Sequence, residues 1–78
     1  MIEPHERERM LRAYSIGPKM IAYLEEIGIS RLEELVDADP LVIAMRIDIA
    51  LGKHLNRLGI AALANLIELA DKECGGKN

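Results

Sequence analysis

The sequence predicts an all-α protein, folded as a compact bundle of about five short helices. Half of the 78 residues are apolar, and neither phenylalanine nor tryptophan is present. The apolar residues are mostly leucine, isoleucine, alanine and methionine, so the aromatic and β-branched enrichment of sheets is missing apart from the isoleucines. Each segment also shows either helical spacing of its apolar residues or a capping signal. A chain of this length forms one domain, which we expect over residues 1–73, followed by a disordered polar tail at residues 74–78.

The first two predicted helices each begin near a proline. Pro4 suits the first turn of a helix, which is expected over residues 3–13. Pro18 opens a second helix, whose apolar residues keep to one face as far as Ile27. Gly28 directly follows this run and is expected to adopt the left-handed backbone that ends many helices.

Two further helix starts lie in the middle of the chain. The run Ser30-Arg31-Leu32-Glu33 is typical of a capping box at the start of a short helix. Asp39 and Pro40 are a typical N-cap and first residue for a helix that ends at Leu51, before Gly52. Helical spacing places one group on the face expected to point into the core: Leu41, Val42, Met45 and Ile49, with Ile43 beside them.

The last helix is predicted over residues 54–73. Gly59 lies inside this segment and costs about 1 kcal/mol relative to alanine. One continuous helix is the favoured interpretation, and a break at Gly59 is the alternative. Its expected buried side consists of Leu55, Leu58, Ala62, Leu66 and Leu69, adjoined by Ile60, Leu63 and Ile67.

The turn between the first two helices, Ser15-Ile16-Gly17-Pro18-Lys19, carries the one pattern that indicates a binding function. Glycine permits positive φ and close approach of another backbone, so Gly17 is expected to provide both. The next helix begins with unsatisfied N–H groups at the positive end of its dipole, and Lys19 adds an ammonium group there. This pattern predicts a phosphate-binding site made of Ser15, Ile16, Gly17, Lys19 and Arg12. The alternative is a purely structural turn with a solvated Lys19.

This turn resembles the hairpin of the helix-hairpin-helix superfamily, whose consensus ends in Gly-Ile-Gly-Pro-Lys, and Ile27-Gly28-Ile29 resembles its exit. More closely, residues 11–72 resemble the C-terminal domain of the TfoX family of competence regulators. The late helix of that domain opens with Leu-Asn-x-Leu, as Leu55-Asn56-Arg57-Leu58 does here. The next most similar family is the helix-hairpin-helix family of pathogenicity loci and mitomycin resistance. The resemblance implies weak, sequence-independent DNA binding at the turn and a role in competence or other DNA transactions.

The turn departs from the superfamily consensus at two positions. Tyr14 stands where proline is usual, and Ser15 stands where glycine is usual in members that bind DNA well. A serine adopts positive φ at a greater cost than glycine, and its side chain hinders the approach of a phosphate. Ser15 therefore favours the alternative function, a module that keeps the fold without binding DNA. The N-terminal domain of the TfoX family has no counterpart in these residues, so its regulatory role is not carried over.

The charge balance opposes strong binding to nucleic acid. Ten basic residues stand against thirteen acidic ones, a net charge of −3, whereas nucleic-acid binders usually have a basic excess. Arg7, Arg9 and Arg12 could extend a basic strip toward Lys19. Because they alternate with glutamates, a salt-bridged helix surface is the favoured interpretation. Any contact with phosphate must then come from a local cluster and from backbone amides.

The sequence contains no residue set typical of an enzyme or of a metal site. There is no Ser-His-Asp set, no paired carboxylates with a pocket and no Walker loop. His5 and His54 lack metal-ligand spacing with Cys74, which is expected to be a free thiol in the tail. Tyr14 and Tyr23 are expected at the edge of the core. We therefore expect a non-enzymatic protein without metal, cofactor or small-molecule substrate.

Two functions follow from these observations. The leading one is weak, sequence-independent binding of nucleic acid through the turn. The alternative is a protein-interaction or dimerisation module, which would use an apolar surface within residues 41–51 or 55–69 for a homodimer or another partner. No run approaches the roughly 20 apolar residues of a membrane span, and the charged start is unlike a secretory signal. With a single cysteine, this predicts a cytoplasmic protein.

Overall fold

The computed structural model describes residues 2–75, and this part of the chain contains helices and no strand. The α-helices are α1 (Pro4–Leu11), α2 (Pro18–Glu26), α3 (Pro40–Leu51) and α4 (Arg57–Cys74), with a short 3-10 helix at Leu32–Leu35 between α2 and α3. The all-α prediction is therefore confirmed, with four α-helices and a single 3-10 turn in the described residues. None of these helices is both long enough and apolar enough to cross a membrane.

Prolines begin α1 and α2, as the sequence predicts. α1 ends at Leu11, two residues before its predicted end. At the end of α2, Gly28 has a φ of 90° and donates its N–H to the Glu25 carbonyl at 3.1 Å. The N–H of Ile29 donates to the Leu24 carbonyl at 3.0 Å. These bonds form a Schellman motif, which confirms the left-handed role expected for Gly28.

The capping box expected at Ser30-Arg31-Leu32-Glu33 does not form, because the 3-10 helix has Arg31 as its N-cap and no side chain caps it. The N–H and hydroxyl of Ser30 instead both donate to Oε2 of Glu34, at 3.4 and 3.3 Å. The helix is one 3-10 turn because the chain is extended at Val36 and left-handed at Asp37, where φ is 62°.

The predicted bounds of α3 are confirmed, but its predicted buried face is wrong. The Asp39 side chain accepts from the Leu41 N–H at 2.9 Å, and Gly52 ends the helix with a φ of 66°. The buried residues are Ile43, Ala44 and Ile47. The expected core residues Leu41, Val42, Met45 and Ile49 are 60, 48, 59 and 79 % exposed, and we call them the outer face of α3. Because apolar residues surround most of this helix, their spacing does not determine which side is buried.

α4 begins at Arg57, three residues after the predicted start. The side chain of Asn56 caps it by accepting the Gly59 N–H at 2.9 Å, so Gly59 lies in the first turn and the helix is continuous beyond it. Leu58, expected in the core, is 77 % exposed because it belongs to this first turn, ahead of the buried segment. The buried residues of α4 are Ala62, Leu63, Leu66, Ile67 and Ala70; Leu55 and Leu69 are half-buried.

The C-terminal end of α4 lies one residue beyond the expected domain boundary. The helix includes Cys74, which is half-buried against the core and accepts a hydrogen bond from Arg9 Nη2 at 3.1 Å. Cys74 is therefore part of the helix, and the interpretation of it as a tail thiol without neighbours is wrong. Gly75 is the C-cap of α4, and residues 76–78 of the predicted tail lie outside the described residues.

The core is built around α4. This helix packs against α3 and the 3-10 helix, α2 packs against α3, and α1 packs against α2 and the 3-10 helix. Every element thus contributes to one hydrophobic core. Within residues 2–75 the largest fully buried side chains are Met10, Ile21, Leu24, Leu32, Leu35, Ile47, Leu63 and Leu66.

A buried carboxylate ties α1 to the 3-10 helix. Glu6 is 7 % exposed, and its Oε1 accepts the Leu32 N–H at 2.9 Å. Its Oε2 lies 3.4 Å from Nη1 of Arg9 and 3.5 Å from Nε2 of His5. The hydrogen bond from Leu32 is the main reason why the pKa of Glu6 is lowered. Since the Leu32 N–H lies at the start of a helix, Glu6 satisfies a donor that would otherwise be buried unpaired.

Candidate functional site

The turn between α1 and α2 (residues 12–17, the α1–α2 turn) has its unusual backbone at Ser15. Ser15 has a φ of 69°, in the left-handed region that favours glycine. Gly17 is extended, with φ −120° and ψ 178°, and a Cβ there would meet nothing within 4 Å. The expectation of positive φ at Gly17 is therefore wrong. Positive φ is instead adopted at Ser15, where the consensus has its first glycine.

The core and α4 hold this turn in place. Ala13 and Ile16 are buried, so the candidate site residue Ile16 anchors the turn to the core. The Asn65 side chain on α4 donates to the Tyr14 carbonyl at 3.1 Å. Sequence reasoning missed Asn65. The signal that could have found it is a lone polar residue within the apolar stretch of α4.

The N-terminal end of α2 is open and carries no acidic residue. Its N-cap, Gly17, provides no side-chain cap, and Pro18 has no N–H. Because the first helical bond runs from Ile21 to the Gly17 carbonyl, at 3.3 Å, the N–H groups of Lys19 and Met20 lie outside the helical ladder. By contrast, side chains cap α3 and α4. The start of α2 can therefore accept an anion.

Lys19 adds a cation at this end of α2. Its side chain is exposed and makes no ion pair with any residue in the range 2–75. Ser15 and Pro18 are exposed beside it, and Gly17 is half-buried. The structure thus brings Ser15, Gly17 and Lys19 to one exposed end of α2. An ammonium group and two backbone N–H groups there form a simple arrangement for binding a phosphate oxygen.

Arg12, the remaining predicted site residue, is held by a carboxylate. Its Nη2 lies 3.3 Å from Oε1 of Glu73, and Nη2 of Arg9 lies 3.5 Å from the same oxygen. The hydrogen bond to Cys74 is the main cause that raises the pKa of Arg9. These pairs, with the Arg9–Glu6 pair, confirm the salt-bridged surface for Arg9 and Arg12. Within residues 2–75 neither Arg7 nor Glu8 makes an ion pair, so that part of the interpretation is wrong. Lys19 is therefore the basic side chain best placed for a ligand at the turn.

Tyr14 lies in solvent, which corrects the expectation that it would form a core edge. It is 81 % exposed, whereas Tyr23 is half-buried against the core as predicted. Tyr14 also lines a shallow groove of about 200 Å³ between the turn and α4, together with Arg12, Asn65, Glu68 and Lys72. An exposed aromatic ring beside a basic group is a feature that nucleic-acid bases can stack on.

The described residues contain no group of three His, Cys, Asp or Glu side chains placed to hold a metal ion. No family model matches the chain, and neither a curated protein nor a solved structure matches it. The resemblance to helix-hairpin-helix and TfoX sequences therefore depends on the motifs in the chain itself.

Proposed function

We propose that this chain is a small non-enzymatic binding module that holds nucleic acid weakly and without sequence preference. In this proposal α1, the α1–α2 turn and α2 form a helix-hairpin-helix. The observation that carries the proposal is the open N-terminal end of α2, which has no side-chain cap and no acidic residue in its first turn. Lys19 lies there and makes no ion pair within residues 2–75. The single cysteine of the chain fits a reducing compartment, and we propose the cytoplasm as its location.

The phosphate would bind at the start of α2. The N–H groups of Lys19 and Met20 and the Lys19 ammonium group would donate to its oxygens, and the helix dipole adds to the attraction. These donors contact only the backbone of the nucleic acid, so they carry no sequence information. One such site in a chain of net charge −3 supports weak binding, no tighter than about 10⁻⁶ M at physiological salt.

Tyr14 would add a contact that only unpaired bases can use. Its exposed ring lies one residue from Ser15, and Asn65 fixes its backbone. Stacking of one base on an aromatic side chain contributes roughly 1–3 kcal/mol and tolerates any base. We therefore propose that single strands bind more tightly than duplex. In this account Tyr14→Ala weakens single-strand binding and leaves duplex binding unchanged.

The test is a titration of labelled single-stranded and duplex DNA at low salt, followed by fluorescence anisotropy. The slope of log K against log salt should be shallow, roughly −1 to −2, because each neutralised phosphate contributes about −0.9. Lys19→Glu should remove most of the binding. Lys53→Glu, the matched control in the α3–α4 connection, should change it little.

Ser15→Gly provides the complementary result. It removes the hydroxymethyl group beside the proposed phosphate and should strengthen binding. If the wild-type protein does not bind at low salt and Ser15→Gly does not create binding, the nucleic-acid function is wrong.

A second candidate function is a protein-interaction module. It is favoured by the outer face of α3, where four large apolar side chains are about half exposed or more. Contiguous apolar surface of this kind is typical of interaction sites. This function does not involve Lys19, so the Lys19→Glu variant distinguishes the two candidates.

A further inference from the structure

The outer face of α3 is apolar along its length. Leu41, Met45 and Ile49 follow one another at intervals of four residues and form a ridge, and Val42 lies beside it. The opposite side of α3 is already buried against the rest of the domain. The exposed ridge therefore adds nothing to the core of this domain, and water contacts most of its apolar surface.

The spacing of this ridge is symmetric about Met45. Leu41 precedes Met45 by four residues, and Ile49 follows it by four. When two identical helices cross antiparallel on a two-fold axis, the central residue meets its own copy and residues at equal distances on either side meet each other. A second copy of α3 would thus place Leu41 against the partner's Ile49, and Ile49 against the partner's Leu41.

The charges at the two ends of α3 have opposite signs. Asp37 and Asp39 are exposed just before the helix, and Lys53 and Arg57 are exposed after it. Asp48 in the last turn lies 3.6 Å from Nδ1 of His54, and the two cations still leave this end with a positive balance. Among the described residues, the side chains of Asp37, Lys53 and Arg57 make no ion pair. In an antiparallel pair the acidic end of each copy approaches the basic end of the other, whereas a parallel pair would bring like charges together. This complementarity favours the antiparallel arrangement.

We propose that the outer face of α3 is a homodimer interface, in which a second copy of this chain packs antiparallel with Met45 on the two-fold axis. The proposal names the partner of the second candidate function and does not depend on the α1–α2 turn. A groove of about 220 Å³ beside the face extends this surface toward α4; apolar side chains line most of it, and Asp48 and His54 lie at its polar part.

The size of the face predicts a weak dimer. A standard interface buries about 800 Å² on each partner, which is about a sixth of the 5021 Å² of accessible surface here. Such an interface takes about 20–30 residues a side, whereas the outer face of α3 offers four large apolar side chains. We therefore expect monomer and dimer in an equilibrium that shifts with protein concentration.

Sedimentation equilibrium over a range of concentrations tests the interface. Met45→Glu places two like charges on the two-fold axis and should raise the dimer dissociation constant by at least about tenfold. Ala50→Glu, the matched control at an exposed position of α3 outside the face, should leave the constant within about twofold, since it adds the same charge away from the contact. Circular dichroism checks that both variants keep the helical fold. A wild-type protein that stays monomeric at all concentrations, or equal effects of the two variants, overturns the proposal.

Cysteine cross-linking in a Cys74→Ser background tests the orientation. Met45→Cys should form a disulfide-linked dimer by itself. Leu41→Cys and Ile49→Cys should cross-link poorly alone and efficiently when the two variants are mixed. If Leu41→Cys and Ile49→Cys each cross-link readily to themselves, the copies are parallel and the proposed geometry is wrong.

Titration of Met45→Glu with DNA separates the two functions, because this variant retains the α1–α2 turn and should still bind.

Discussion

At the scale of single residues, Glu6 shows how one polar side chain joins two elements. Its carboxylate is buried, accepts the Leu32 N–H and is paired with Arg9. A buried donor left without a partner costs about 1–3 kcal/mol. Glu6 therefore favours one packing arrangement of the fold, since its hydrogen bond fixes how α1 lies on the 3-10 helix. The sequence shows Glu6 as an acidic residue in a first helical turn and gives no sign of this distant partner.

The lowered pKa of Glu6 makes the stability of the protein depend on pH. A carboxyl group whose pKa is lower in the folded state stabilises the fold above its unfolded pKa, ordinarily 4.5, and this contribution is lost as the pH falls through the folded value. Glu6→Gln should therefore lower the free energy of unfolding by about 1–2 kcal/mol at neutral pH.

Urea unfolding of Glu6→Gln at neutral pH and at about pH 3, below the ordinary carboxyl range, measures this dependence. The difference from wild type should shrink at the acidic pH. Glu8→Gln, on the exposed side of the same helix, should behave like wild type at both values. A difference that stays constant with pH would show that the charge of Glu6 plays no part.

Ser15 and Gly17 provide a second test at the residue scale. Ser15→Gly should raise the free energy of unfolding by about 0.5–1 kcal/mol, because glycine adopts a φ of 69° with little strain. Gly17→Val should change it by less than about 0.5 kcal/mol, since the backbone there is extended and the space is open. Thermal unfolding of the two variants and of the wild type measures these differences in the free energy of unfolding. If Gly17→Val loses much stability and Ser15→Gly gains none, the backbone strain lies at Gly17 and not at Ser15, which would contradict this assignment.

At the scale of elements, local signals determine where the helices begin and end. Asp39-Pro40 and Gly52 predict the bounds of α3 because capping depends on side chains and backbone angles within a few residues. The buried face of α3 could not be predicted this way, because apolar residues surround the helix and only packing against α2 and α4 selects a side. The start of α4 was missed because Asn56, its N-cap, lies within the expected helix.

The two sides of α3 should respond very differently to the same substitution. Ile47→Ala removes a fully buried side chain and should destabilise the protein by about 2–4 kcal/mol. Ile49→Ala removes one that is 79 % exposed and should cost less than about 0.5 kcal/mol. The free energies of unfolding of the two variants are compared by chemical unfolding, at a concentration where the chain is monomeric. Equal losses would mean that both sides of α3 are buried.

The candidate site was predictable only in part. Gly17, Pro18 and Lys19 are adjacent in the chain, and their place at the start of a helix follows from local sequence. The pairing of Arg12 with Glu73 and the hydrogen bond from Asn65 to the turn join residues far apart in the chain. Such contacts depend on how α4 packs against α1 and the turn, and helical periodicity contains no information about that.

At the scale of the whole molecule, two surfaces on different elements can act independently. The start of α2 offers donors to an anion, and the outer face of α3 offers apolar contact. The net charge of −3 weakens the first at long range and also opposes the approach of two like-charged copies through the second. A dimer through α3 would carry two α1–α2 turns, so that binding of a long strand could gain from avidity without any new contact.

Chemical-shift mapping by NMR tests the nucleic-acid function most directly. A ¹⁵N-labelled protein is titrated with a short single-stranded DNA at low salt, at a concentration where the chain is monomeric. We predict that the backbone amides of Ser15, Gly17, Lys19 and Met20 shift most, together with the amide of Tyr14, and that Lys19→Glu abolishes these shifts. Absence of shifts at these amides, or shifts concentrated on the outer face of α3, would contradict the proposed site.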